Sequence, residues 1–147
     1  MRSFVLGFVF LCIGLQAAHA ETNHAAIAQD ALTKVIRPGY NDFETKVGAL
    51  KEKTETLCAK PSEAALETAK VAFAAAIESW SKLEIFRFGP VNQAHRYERL
   101  FFWPDPKGIG LRQVQRALLK KDETVTSPDA LVEKSVALQG LPALEYL

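Results

Sequence analysis

Glu84 and Arg87 stand three residues apart in a helix-forming stretch, and Arg96, Arg99 and Asp105 follow around the aromatic run Phe101-Phe102-Trp103-Pro104. Carboxylates and guanidinium groups in such a set support one of two arrangements. One is an ion-paired, hydrogen-bonded lid over the end of a bundle. The other is an oxygen-rich pocket, and carboxylate oxygen favours hard or borderline cations such as iron, calcium or manganese. His95 could add a nitrogen, but a lone histidine in a helix-breaking segment reads better as a surface or capping residue. The long aromatic loop has the same two readings, a packed plug or part of a site.

Other chemistries lack their residues. After residue 20 the only histidines are His24 and His95, and neither lies in a Gly-x-Ser-x-Gly elbow or near Cys58 in sequence. A hydrolytic triad is therefore unsupported. The paired histidines of a zinc peptidase helix are missing, as is a phosphate-cradling glycine loop. Lys+Arg number 18 against 17 Asp+Glu, so overall charge makes no electrostatic case for nucleic acid or for an acidic membrane surface.

These residues need a scaffold, and the sequence describes a helical one. Met1-Arg2, the apolar run Phe4 to Leu15 and the small-x-small tract Ala18-His19-Ala20 form a secretory signal, with cleavage expected after Ala20. It is too short to persist as a membrane span. Of the 147 residues, 21–147 then make one domain with 17 bases and 17 acids. Cys12 falls in the signal and leaves Cys58 alone, so an internal disulfide is impossible. Cys58 reads as a small buried hydrophobe near a helix end, with a reactive thiol or an intermolecular disulfide as the alternative.

The first helix starts near His24, and Pro38-Gly39 is expected to interrupt it. Tyr40, Phe43, Val47, Leu50, Thr54 and Leu57 then recur at alternating three- and four-residue steps, the seam of a packed helix. Lys60-Pro61 ends it and Ser62 caps the next. Leu66, Ala69, Phe73, Ala76 or Ile77, Trp80 and Leu83 form its stripe, up to Gly89-Pro90. Residues 25–58 and 62–87 thus predict an antiparallel helical hairpin. A third helix is expected over Leu111–Lys121. A fourth is expected from Ser127-Pro128-Asp129 through Leu138, broken or kinked at Gly140-Leu141-Pro142. The fold class is all-α, an up-and-down helical bundle.

The tract Gln139-Gly140-Leu141-Pro142-Ala143-Leu144-Glu145 resembles the motif region of the imelysin-like family of exported bacterial proteins, also classed as M75 peptidases. The family hallmark is Gly-x-His-x-x-Glu. Gly140 and Glu145 stand at its glycine and glutamate, and Pro142 at its histidine. Trp80-Ser81-Lys82-Leu83-Glu84, Arg87-Phe88-Gly89-Pro90 and Arg99-Leu100-Phe101-Phe102-Trp103-Pro104-Asp105 resemble the family too, so the likeness spans nearly all of 25–147.

The resemblance implies the first bundle of an imelysin-like domain. Family members are generally far longer and built from two bundles, so the domain is expected to be truncated at its C-terminal side. Leu141, Leu144, Tyr146 and Leu147 would then lack cover. The resemblance further implies a periplasmic role in iron or other metal acquisition, by binding rather than turnover. Glu145 is the first candidate metal ligand, or else the acceptor of a buried hydrogen bond. Glu84 and Asp105 come next, with Arg87, Arg99 and Gly140 in support. Proline has no ligand atom, so position 142 cannot do what the family's histidine does. The competing readings are an M75 metallopeptidase and a non-catalytic fragment docking on an envelope protein.

Overall fold

The computed structural model describes residues 23–147. The signal assigned to residues 1–20, with Cys12, lies outside the described residues. Among the described residues every regular element is helical and there is no strand.

The longest feature is a hairpin. Its first arm is α1 (His24–Ala31), a wide π turn (Leu32–Ile36) and α2 (Arg37–Ala59), with helical backbone throughout. The break expected at Pro38-Gly39 does not occur. The Arg37 N–H reaches back five residues to the Leu32 carbonyl, and this wider turn accommodates a proline that has no N–H to offer. Gly39 has a packing role. A Cβ there would stand 2.5 Å from Cδ2 of Leu83, which is only 2% exposed. Phe43 and Leu50 are buried, with Tyr40, Val47, Thr54 and Leu57 half-buried beside them, as the seam predicts. Cys58 follows the inward-facing Leu57 on the last turn and is exposed, which corrects the buried reading.

The second arm is α3 (Glu63–Ser81). Ser62 caps it, its hydroxyl accepting the Ala65 N–H at 3.1 Å. Ala69, Ala76 and Trp80 are buried along the predicted stripe, and the small residues let α2 pack closely. This helix ends at Ser81 rather than near residue 87. The Trp80 carbonyl takes the N–H groups of both Leu83 and Glu84, at 2.8 and 3.0 Å, which tightens the chain into a turn and drives Leu83 into the core.

The rest of the chain forms a cap along one flank of the hairpin, from Trp80 to Leu57 and Leu66 near the turn, where Leu144 and Leu147 line a shared pocket. A 3₁₀ turn (Gly89–Asn92) leads to α4 (Arg96–Leu100), then the aromatic loop, α5 (Ile109–Lys120), α6 (Pro128–Val132), a second 3₁₀ turn (Val136–Leu138) and α7 (Gly140–Glu145). The continuous fourth helix expected through Leu138 stops at Val132. Ser135 Oγ accepts the Ala137 N–H, and Gln139 Nε2 donates to the Lys134 carbonyl at 2.8 Å, so side chains compete with the helical ladder. Pro142 does not break α7, because it lies in the first turn, where N–H groups have no helical acceptor.

Trp80 joins the two parts. It is 1% exposed, and its ring centroid lies 5.3 Å from Phe43, 5.6 Å from Tyr97 and 6.1 Å from Phe101. Of the aromatic loop, Phe101 packs against Trp80 as a plug, while Trp103 is 61% exposed. Of the tail residues expected to lack cover, Leu141 is buried and Leu144 half-buried; Tyr146 and Leu147 are exposed.

Candidate functional site

The aromatic loop leaves α4 at Phe101 and returns to helix at Ile109. Asp105 fixes that return. Its Oδ1 accepts the Ile109 N–H at 2.8 Å and its Oδ2 accepts the Gly110 N–H at 2.7 Å, which satisfies two orphan donors at the start of α5. Burial pushes its carboxyl up, but these donors and the nearby Arg112 guanidinium outweigh that and hold it below the usual carboxylate range.

Facing this loop is α7, positioned by Gly140. With φ at +73° the residue is left-handed, and a Cβ would collide with the carbonyl oxygens of Arg99 and Leu100. The glycine of the motif thus lets the start of α7 lie directly on the end of α4. Between loop and helix is a pocket of about 270 Å³. Phe101, Phe102, Trp103 and Tyr146 give it aromatic walls, and Asp105, Pro142 and Glu145 line it together.

The candidate ligands are therefore only partly assembled. Asp105 and Glu145 share this pocket, and Glu84 is not among its lining residues. Glu84 sits half-buried at the turn after α3, where Arg87 Nε donates to its carbonyl oxygen at 3.3 Å. Arg87 turns instead to Tyr97. It donates to the phenol oxygen at 2.5 Å and lies 4.2 Å from the ring centroid. Burial raises the Tyr97 phenol above its ordinary range, with Glu84 adding to the rise and Arg87 opposing it. Arg99 carries a buried Nε with no hydrogen-bond partner. Arg96 donates to the Pro90 carbonyl, and His95 is exposed with left-handed backbone. Glu145 is exposed, which excludes the buried-acceptor reading for it.

Tyr97 and the backbone donors at Ile109 and Gly110 went unread in the sequence. No helical or strand period links Arg87 to Tyr97, and backbone donors leave no residue-type signal. Pro142 was read as a helix breaker and as a departure from a motif; its position on the pocket wall depends on α7 folding against the loop.

Residues 36–147 match the family model described as Peptidase_M75: Imelysin. The chain belongs to the imelysin family. No curated protein and no solved structure matches it. Its helical bundle is that of an imelysin-like domain, and among the described residues no helix is long and apolar enough to cross a membrane.

Measured against a metal, the imelysin pocket is short of donors. Both Asp105 oxygens already accept N–H groups, Pro142 offers none where the family motif has histidine, and the remaining walls are largely aromatic. Among the described residues no three His, Cys, Asp or Glu side chains lie together as a metal-holding group. The donor set does not fit a resident metal enclosed by protein ligands alone.

Proposed function

We propose that this imelysin-like chain is an exported, periplasmic component that acts by binding, and that its cargo is an oxygen-seeking cation, iron first, arriving with donors of its own. One observation carries this reading: Glu145 and Asp105 line the same pocket beside Trp103. Glu145 and the lone pairs that Asp105 keeps beyond its two N–H donors are too few to enclose an ion, yet can take open positions on an ion already held by a small chelator. Export rests on the charged start, apolar run and small-x-small site of residues 1–20.

Calorimetric titration with ferric iron as a weak carboxylate chelate, alongside calcium and manganese, tests the reading. Saturable binding that Glu145→Gln abolishes supports it, and Pro142→His is expected to tighten binding by adding a nitrogen to the same wall. Binding unaffected by Glu145→Gln would remove the site. Incubation with an unstructured polypeptide, with and without a chelator, separates the M75 peptidase alternative: chelator-sensitive cleavage would replace binding by turnover.

A further inference from the structure

The near-balance of charge over the whole chain conceals a local excess. Residues 107–121 hold Lys107, Arg112, Arg116, Lys120 and Lys121 and no acidic residue. Most of this stretch is α5, which buries Gly110 and Val114 against α7 and the Val136–Leu138 turn. At 3.6 residues per turn the opposite face carries Arg112, Arg116 and Lys120 as one row with Leu119 beside it, while Leu111 and Leu118 lie on the flank between that face and the buried Val114. All six are exposed, Leu119 to 85% and Leu118 to 56%. Arg112 is partly engaged, donating to the Lys107 carbonyl and lying near Asp105. Among the described residues Lys107, Arg116, Lys120 and Lys121 take part in no ion pair, whereas most exposed lysines of α2 and α3 are paired.

The three exposed leucines border the bases and add apolar contact area to the charge. An acidic protein or a nucleic acid would engage the bases, but nucleic acid would leave the leucines in water and finds no aromatic side chain on this face to stack on. A bilayer of anionic phospholipid suits this face, phosphates meeting the bases while Leu119 and the two flanking leucines enter the boundary between headgroups and acyl chains. On the flank, Leu118 also lines an open groove of about 420 Å³ with Val114, Leu131 and Leu138.

We propose that the outer face of α5 docks this domain on an anionic phospholipid surface. The test is flotation of the chain from Glu21 on, which contains every element described above, with vesicles of phosphatidylglycerol and phosphatidylcholine or of phosphatidylcholine alone. Flotation is expected only with the anionic vesicles and is expected to fall as salt rises. Each of Arg116→Gln and Lys120→Gln should weaken partition about fivefold. Leu119→Ser should weaken it at unchanged charge, and since these side chains are exposed, circular dichroism should stay that of the parent. No flotation, or flotation that the three variants leave unchanged, overturns the proposal. Binding to duplex DNA that is as tight as to vesicles and indifferent to Leu119→Ser would overturn it too, in favour of a polyanion site.

Discussion

In the α2–α3 hairpin, burial falls on residues three, four or seven apart, from Phe43 to Leu50 and from Ala69 through Ala76 to Trp80. The cap adds Tyr97 and Leu141 to the same core, but single contacts fix its backbone: Asp105 on two N–H groups, Gly140 against two carbonyls, Arg87 on Tyr97. The hairpin spreads its stability over many interchangeable apolar contacts. The cap concentrates it at a few positions where one atom decides the geometry. A substitution in the hairpin should therefore cost in proportion to volume, and one in the cap should act through backbone conformation or hydrogen bonding.

Trp80→Ala tests the joint between the two regions and has the largest expected effect, about 3–5 kcal/mol for a large aromatic removed from a core. Urea unfolding should show a lower midpoint, with the cap released together with the hairpin. Gly140→Ala should cost about 1–3 kcal/mol for the left-handed backbone alone, plus the collision with the Arg99 and Leu100 carbonyls. Hydrogen exchange should then rise in α7 and α4 ahead of α2 and α3. Equal rises in all four would show that cap and hairpin are one cooperative unit.

Asp105→Asn separates the regions by pH. Because the Asp105 carboxyl titrates lower in the folded chain, its contribution is complete above the unfolded value of about 3.9 and is lost as pH falls through the folded value. The variant should melt earlier than the parent at neutral pH and lose less on acidification. Parallel melting curves against pH would disprove the capping role. The smallest effect belongs to Lys82→Gln, which removes an exposed pair with Glu78 at 3.0 Å. It should change the unfolding free energy by less than about 0.5 kcal/mol, measured in the same urea series.

The same division explains what could be read from the residues. The hairpin stripes were legible because helical period and burial are tied together along one chain segment. Ser62 and Pro61 gave its turn. Pro38 misled because a π turn, set by local backbone accommodation, has no side-chain signature of its own. Ser127-Pro128-Asp129 announced a helix start correctly but not its length, since Ser135 and Gln139 end the regular ladder through hydrogen bonds to their neighbours. Of the candidate site, Asp105 and Glu145 were legible as residues, and Gly140 as a motif position. Their shared pocket was not.

The sequence alone determined an all-α chain, an antiparallel hairpin and membership of the imelysin family, because apolar period and motif strings are local properties. Tertiary structure alone decided that Glu145 would line a pocket with Asp105 and without Glu84, that Arg87 would turn to Tyr97, and that α5 would show its bases and leucines to solvent. Those outcomes depend on how short helices stack over Trp80, and that stacking is fixed by contacts between residues far apart in the chain.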